Sequence, residues 1–385
     1  MIYFDNAATS WPKPPEVFEA MNEFMRELGG NPGRSGHRMA TGAEAMIGEC
    51  RNAVSKFFGL NDPNRCVFTL NCTDALNIAM KGVLRQGDHV ITTALEHNSI
   101  SRPLQQMSED GFIELTRVFP EADPGAWTVE EIVGELRPDT RLVALTHCAN
   151  VTGVINPIEA LAKALHAAND KVLLLVDAAQ SAGIVPIEME KSGIDMLAFP
   201  GHKALYAPTG TGALLIGPRV DAENMACWRE GGTGGDSTSP LQPEELPHRL
   251  EGGTPNTMGI AGMLAGVRFL KRQGPEKILA HERAIVQKMI GALGDDQRFK
   301  IYGTRDIARK VGALSITIKD RDNAEVAGIL DQAFEIAVRP GLHCAPYMHK
   351  LLGTFPTGTL RLAPGFFTTL EETDTVIAAL KSIAE

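Results

Sequence analysis

The sequence predicts an α/β protein with a mainly parallel sheet, followed by a smaller α+β domain. Short apolar runs alternate with helical stretches up to about residue 216, which is typical of parallel strands joined by helices. Residues 229–247 are rich in Gly, Ser, Thr, Pro and Glu and have no apolar period, which predicts a long loop. Helical and strand patterns return from about residue 258. A chain of 385 residues has room for both domains.

The elements follow from local patterns. Apolar residues recur at helical spacing between residues 17 and 28, which predicts a first packing helix. The predicted strands of the sheet are Val67–Leu70, Val90–Thr93, Leu142–Leu145, Val172–Val176 and Leu197–Phe199. Asn156 and Pro157 predict a helix start, with Asn156 as its N-cap. In the second domain we expect helices at 276–293, 324–334 and from 370, and a strand at 313–318.

Composition excludes several classes of protein. Hydrophobic residues make up 44% and charged residues 22%, which excludes a disordered or fibrous chain. A net charge of −10 argues against a nucleic-acid partner. We find neither a signal peptide nor a long apolar run, and the six cysteines form no CxxC pair. We therefore expect a soluble, cytoplasmic protein in a reducing compartment, with no membrane partner.

Common nucleotide and metal motifs are missing from the sequence. It has no GxxxxGK[ST], and the glycines at 210 and 212 lack the third glycine of a dinucleotide fingerprint. It has no HExxH, and the group His343, Cys344 and His349 lacks a second ligand pair. We expect no metal site.

The most informative pattern is an acid and an amine after two neighbouring predicted strands. Asp177 follows the run Val172–Val176, and Lys203 follows the next strand, 26 residues later. Ligands bind at the carboxyl ends of strands in open α/β sheets, so we expect both side chains in one site. Pyridoxal phosphate needs a lysine for a Schiff base and an anion at its ring nitrogen. Taken alone, Asp177 is as easily a helix cap and Lys203 a solvated charge.

With these residues, the chain resembles the class V aminotransferase family of fold-type I pyridoxal phosphate enzymes, and within it the cysteine desulfurases and selenocysteine lyases. The similarity runs from Tyr3–Thr9 to Glu371–Asp374, and Asp177–Ser181 and Gly201–Lys203 match the family's cofactor signature. The resemblance implies a large cofactor-binding domain with a mainly parallel seven-stranded sheet at 15–257. It implies a small domain formed by 1–14 and 258–385.

The resemblance also implies roles around the cofactor ring. Lys203 would form the Schiff base, Asp177 would bind the ring nitrogen and Gln180 the ring hydroxyl oxygen. His97, in the matching segment Leu95–Ser99, would stack on the ring and shuttle protons. A capping or surface histidine is the alternative for His97.

For the phosphate, the resemblance points to the strand-to-helix turn Asn71–Ala75, whose free N–H groups favour an anion. Thr73 and the backbone would bind there, with Cys72 in place of a hydroxyl ligand. His202 would be another phosphate contact, whereas Pro200 stands at a position that is commonly serine. Thr254, in the motif Gly253–Thr257, would come from the opposite subunit of a homodimer.

For the substrate, the segment Thr359–Pro364 resembles the family's carboxylate-binding segment. Arg361 would bind the carboxylate of an amino acid as a planar bidentate donor, helped by Asn150. Arg339 would also bind the substrate. An isolated arginine such as Arg361 would otherwise be read as part of a surface ion pair.

Residues 338–346 resemble the cysteine loop of the group II, SufS-like desulfurases, so Cys344 would accept the sulfur. Positive charge on His343 and Arg339 would favour its reactive thiolate. Only 17 residues separate Cys344 from Arg361, so we expect a short ordered loop and a dedicated sulfur-acceptor protein. Gly33 and the segment 345–347 depart from the pattern of this group.

The expected reaction is conversion of L-cysteine to L-alanine with a persulfide on Cys344. The same loop suits a selenocysteine lyase. An aminotransferase that acts on another amino acid, with Cys344 incidental, is a second alternative. A non-catalytic sulfur-handling protein is a third, although the retained Lys203, Asp177, His97 and Arg361 argue against it.

Overall fold

The computed structural model describes residues 1–33, 36–121, 125–233 and 238–385. The strands within these ranges are β1 (Ile2–Tyr3), β2 (Cys66–Thr69), β3 (Asp88–Thr93), β4 (Ile113–Val118), β5 (Thr140–Thr146), β6 (Leu173–Asp177), β7 (Met196–Pro200), β8 (Gly212–Ile216), β9 (Phe299–Tyr302), β10 (Leu314–Ile318), β11 (Ile336–Ala337), β12 (Arg339–Gly341) and β13 (Thr359–Leu362). The α-helices are α1 (Pro15–Glu23), α2 (Arg38–Phe57), α3 (Cys72–Val83), α4 (Asn98–Glu109), α5 (Val129–Val133), α6 (Ile158–Ala168), α7 (Thr257–Gln273), α8 (Pro275–Leu293), α9 (Asn323–Phe334), α10 (Pro346–Leu351) and α11 (Leu370–Ile383).

The largest sheet of the described chain has seven strands. Its strand order is β2-β8-β7-β6-β5-β3-β4, and β8 runs in the direction opposite to the other six strands. The predicted fold class is confirmed, and all five predicted runs lie in this sheet. The strands β4 and β8 are not among the predicted ones. In β4, the charged residues Glu114 and Arg117 interrupt the apolar run because this strand lies at the sheet edge.

The sheet is buried on both faces, which explains why its strands are nearly continuous apolar runs. In β6, Leu174 and Val176 pack into one apolar cluster, and Leu173 and Leu175 pack into the cluster on the opposite face. The alternation follows the two-residue period of a strand. With both faces covered, the ends of the strands are where a polar site can form.

The remaining strands form an antiparallel sheet in the order β12-β13-β10-β9 and a parallel pair of β1 with β11. Phe4 packs in the apolar cluster of this region, together with residues of α8, α9 and α11. Apolar side chains of α7 belong instead to a cluster of the large sheet. The division into 15–257 and 1–14 with 258–385 stays a prediction.

Two local predictions differ from the structure. The first helix ends at Glu23 and continues as a π-helical turn over Phe24–Leu28, and Phe18 and Met25 are exposed instead of packed. Asn156 does not cap α6, because its buried side chain donates to the carbonyl of Thr146 and Pro157 takes the N-cap position.

The described parts of the predicted loop 229–247 contain only turns and irregular backbone; residues 234–237 of that loop lie outside the described residues. No helix within the described ranges has the length and apolar character to cross a bilayer.

Candidate active site

A cleft opens where β5, β6 and β7 end. Thr146, Asp177 and Pro200, the last residues of these strands, line it, and its cavity volume is about 220 Å³. This edge of an open α/β sheet is where ligands bind. The predicted site residues that line the cleft are Cys72, Thr73, His97, Asn150, Asp177, Gln180, His202, Lys203, Arg339 and Arg361.

Asp177 is the buried acid of the cleft. It is 3% exposed, and its Oδ1 accepts a hydrogen bond of 2.9 Å from the backbone N–H of Ala179. The thiol of Cys72, at the first residue of α3, lies 3.5 Å from the same oxygen. Burial, and then the negative charge of Asp177, raise the pKa of Cys72 well above its ordinary value, so the thiol stays protonated and donates to the carboxylate.

Lys203 provides a basic amine beside this acid. Burial lowers the pKa of Lys203, the nearby Asp177 raises it and Arg361 lowers it again, with a net shift downward. A lowered pKa enlarges the fraction of free amine, the form that attacks an aldehyde or takes a proton. The N-terminal segment fixes this turn, because the hydroxyl of Ser10 donates to the carbonyl of Lys203 at 2.8 Å.

His97 lies just before α4, and its Nδ1 accepts from the backbone N–H of Ser99 at 3.1 Å. An acceptor at Nδ1 places the proton of the neutral ring on Nε2. The hydroxyl of Ser99 lies 2.8 Å from Nδ1 and 2.7 Å from the hydroxyl of Thr73. Burial is the main cause that lowers the pKa of His97, and Lys203 adds to it, so the ring is neutral near pH 7.

His202 and Gln180 also line the cleft. The Nδ1 atom of His202 is buried with no hydrogen-bond partner in the described parts of the chain. Burial, with the charges of Lys203 and Lys13, lowers the pKa of His202 to about 4, so its ring is neutral. The amide of Gln180 donates to the carbonyl of Ala7 at 3.0 Å. His202 therefore has a free ring nitrogen to offer a ligand.

Arg361, in β13, reaches the cleft from the antiparallel sheet. It is 1% exposed, and its Nη2 lies 3.0 Å from Oδ1 of Asp5, while its Nη1 donates to the carbonyl of Asn150 at 3.1 Å. Its Nε is buried and has no partner among the described residues. Asp5 thus compensates the buried charge and fixes the guanidinium plane.

Cys344 lies in the turn between β12 and α10, as the sequence predicts for a loop cysteine. Its Sγ is 3.5 Å from Nη2 of Arg339, so a positive charge stands beside the thiol. The expectation for His343 is wrong. This ring is buried, its Nε2 bonds the carbonyl of Thr359 at 3.1 Å, and burial lowers its pKa to about 2. A neutral His343 supplies no charge to Cys344, which leaves Arg339 in that role.

Thr254 lies outside this cleft. It is exposed and lines a different depression, next to Gly210, Arg229 and Asn256. The structure of one chain therefore does not bring Thr254 to Lys203.

Sequence reasoning missed two residues that shape the site. Asp5 is separated from Arg361 by most of the chain, and no local pattern signals their ion pair. Ser99 has no predicted role, and its place at a helix start does not signal that its hydroxyl contacts both His97 and Thr73.

Comparison with known proteins agrees with this geometry. The family described as aminotransferase class-V matches residues 2–376. A probable cysteine desulfurase of Halalkalibacterium halodurans is 32% identical, covering 100% of this chain and 93% of the relative. A cysteine desulfurase of Pectobacterium atrosepticum is 30% identical over 100% of this chain and 93% of its own.

Solved structures give the same result. An apo cysteine desulfurase from Thermococcus onnurineus NA1 has a TM-score of 0.92 and 33% identity, covering 100% of this chain and 94% of its own. The cysteine desulfurase CsdA from Escherichia coli has a TM-score of 0.88 and 26% identity, covering 99% and 94%. Enzymes of this family depend on pyridoxal phosphate. The chain belongs to the class-V aminotransferase family.

Proposed function

We propose that this protein is a pyridoxal-phosphate-dependent cysteine desulfurase, which converts L-cysteine to L-alanine and holds the removed sulfur as a persulfide on Cys344. The observation that carries the proposal is the position of Cys344. Its Sγ contacts Arg339, and Arg339 lines the same cleft as Lys203 and Asp177. Full-length relatives described as cysteine desulfurases support it.

The residues of the cleft fit pyridoxal phosphate. Lys203, with its lowered pKa, would hold the aldehyde carbon, and the buried carboxylate of Asp177 would hold the ring nitrogen. The start of α3 at Cys72 and Thr73, together with the unpartnered Nδ1 of His202, would hold the phosphate. When bound, the cofactor supplies an electron sink that makes the α-proton of an amino acid removable.

Arg361 would bind the carboxylate of the substrate. Its two terminal nitrogens already bond Asp5 and the carbonyl of Asn150, which fixes the guanidinium, and its Nε is left with bonding capacity. A carboxylate there would complete the hydrogen bonding of a buried cation. This arrangement favours an α-amino acid as the substrate class.

The chain's own groups supply the proton and sulfur steps. Lys203 would take the α-proton at its Nζ, and the neutral His97 would exchange protons at its Nε2. The thiolate of Cys344 would attack the substrate sulfur, so that an S–S bond forms while the C–S bond of the substrate breaks. The β-carbon, which loses the sulfur, takes up one proton, and the α-carbon regains the proton that was removed. The thiol of Cys344 releases the proton that balances the uptake at the β-carbon. L-cysteine and a thiol thus give L-alanine and a persulfide, with no external oxidant.

Two further expectations belong to this proposal. The turn that carries Cys344 is short and anchored between β12 and α10, so the persulfide would be passed to a separate sulfur-acceptor protein. The exposed Thr254 would contact the phosphate in the cleft of a second subunit, which makes the active form a homodimer.

Alanine and sulfide formation from L-cysteine tests the proposal, with purified protein, pyridoxal phosphate and a thiol reductant. We expect equal amounts of both products and a loss of about a hundredfold or more in Cys344→Ala, because no other nucleophile replaces the thiolate. Cys227→Ala is the matched control, since Cys227 is also a half-buried free cysteine but bonds the carbonyl of Arg249, a residue that does not line the cleft. Equal alanine formation by the wild type and Cys344→Ala would contradict the proposal, and so would its absence from both.

A further inference from the structure

The turn that carries Cys344 has an unusual backbone. His343 and Cys344 have φ angles of 48° and 60°, so two consecutive non-glycine residues lie in the left-handed region. This region is unfavourable for residues with a Cβ and is kept only where the surroundings impose it. The contacts around the turn therefore decide where the Sγ of Cys344 points.

Two hydrogen bonds hold the carbonyl groups of the turn. The side-chain amide of Asn150 donates to the carbonyl of His343 at 2.6 Å, and the backbone N–H of Asn98 donates to the carbonyl of Cys344 at 2.7 Å. Both donors come from the region of the large sheet. These bonds fix the turn on the side of the large sheet, and α10 adds further contacts after Cys344.

Tyr347, three residues after Cys344 in the first turn of α10, contacts the edge of the large sheet. The guanidinium carbon of Arg117 lies 4.1 Å from the centre of the Tyr347 ring. Phe119 meets the same ring edge to face, with ring centres 6.3 Å apart. Both partners belong to or adjoin β4, the edge strand of the large sheet.

Arg117 is itself anchored. Its Nη1 donates to the hydroxyl of Ser101 at 3.2 Å and to the carbonyl of Thr93 at 3.4 Å, and its Nη2 approaches Gln105 at 3.5 Å. A half-buried guanidinium held on several sides gives the tyrosine ring a fixed surface to pack on. The contact therefore ties α10 to the large sheet.

We propose that Tyr347 is a positioning residue that packs on Arg117 and so holds the Sγ of Cys344 in the orientation needed to attack the substrate sulfur. The inference rests on the proposed desulfurase function. Tyr347 belongs to the segment 345–347 that departs from the group II pattern, so the resemblance gives it no role. Its ring contact with β4 gives this departure a physical reason.

The test compares the holoenzymes of Tyr347→Leu and Tyr347→Phe with the wild type. In Tyr347→Leu we expect the rate of first-turnover alanine formation from L-cysteine to fall about tenfold, because a fall of this size corresponds to the loss of one partly buried cation–π contact. Tyr347→Phe keeps the ring face and should stay within about twofold. Exchange of the α-proton of L-alanine with deuterated water, which needs Lys203 but not Cys344, should be unchanged in both variants.

A wild-type rate of first turnover in Tyr347→Leu would overturn the inference. A parallel fall of α-proton exchange and cofactor content would also overturn it, because Tyr347 would then only support the fold. The alkylation rate of Cys344 by iodoacetamide, followed by peptide mass spectrometry, should rise several-fold in Tyr347→Leu and stay unchanged in Tyr347→Phe. That readout tests the positioning even if the wild type makes no alanine, a result that would reject the proposed function alone.

Discussion

At the scale of single residues, burial shifts the bases of the cleft toward their uncharged forms. Burial lowers the pKa of Lys203, His97 and His202, although the carboxylate of Asp177 lies close enough to raise the first two. Desolvation therefore outweighs one nearby negative charge at Lys203 and at His97. Uncharged bases are the forms that can accept a proton or attack a carbonyl carbon near neutral pH.

The state of His97 gives a pH prediction. An ordinary histidine is half protonated at about pH 6.5, whereas the lowered pKa of His97 keeps its ring mostly neutral there. Nitrogen NMR of the histidine-labelled holoenzyme should show His97 neutral with its proton on Nε2 at that pH, and His97→Asn would assign the signal. A ring that is half or more protonated at pH 6.5, or protonated on Nδ1 alone, would contradict the account.

Sequence reasoning predicted the composition of the cleft well but not the charge states of all its residues. Lys203, Asp177, His97 and Arg361 each lie in motifs that local sequence reveals, and the structure brings them into one cleft. The neutrality of His343 arises mainly from burial, and the partner of Arg361 is Asp5 at the other end of the chain. Such features depend on packing between distant segments, which no local pattern contains.

At the scale of elements, the Cys344 turn depends on a close approach of two strand ends. Gly341 ends β12 and Gly358 precedes β13, and a Cβ built on Gly358 would come within 2.1 Å of the backbone of Gly341. Gly358 also has a φ of 77°, a conformation that glycine adopts without strain. The pairing of β12 with β13 that supports Cys344 therefore requires glycine at this position.

Substitution at this glycine gives a stability prediction. Gly358→Ala should lower the free energy of unfolding by about 2 to 4 kcal/mol, from the backbone strain and the clash with Gly341 together. Gly353→Ala is the control, because Gly353 has a φ of 69° but nothing within 4 Å of its added Cβ, so it should lose only about 1 to 2 kcal/mol. Urea unfolding of the holoenzymes measures both. Equal losses in the two variants would show that the strands do not approach as described.

At the scale of the whole molecule, the site is built from distant parts of the chain. The large sheet contributes Asp177 and Lys203, the antiparallel sheet contributes Arg339 and Arg361, and the N-terminal segment contributes Asp5. The sequence predicts the parallel sheet because its strands are continuous apolar runs. It does not reveal the edge strand β4, since edge positions do not demand apolar residues on both faces. The strand β8 is an interior, fully buried apolar run that the prediction left out.

The proposed homodimer is tested by mixed dimers of two variants. Thr254→Val should raise the dissociation constant of pyridoxal phosphate about tenfold, because the variant loses one hydrogen bond to a charged group. Lys203→Ala should abolish turnover. A dimer that contains one chain of each variant, purified with two affinity tags, should regain up to half the wild-type activity at limiting cofactor. No gain over Thr254→Val would mean that Thr254 does not serve the cleft of the partner.

The central claim is that Cys344 takes the sulfur atom from the substrate, and a single-turnover measurement tests it most directly. The holoenzyme is mixed with L-cysteine in the absence of reductant and acceptor, and alanine and the mass of the peptide that contains Cys344 are measured together. The account predicts about one alanine per active site, followed by arrest, with one extra sulfur atom on Cys344. Continued alanine formation while Cys344 stays unmodified would contradict it.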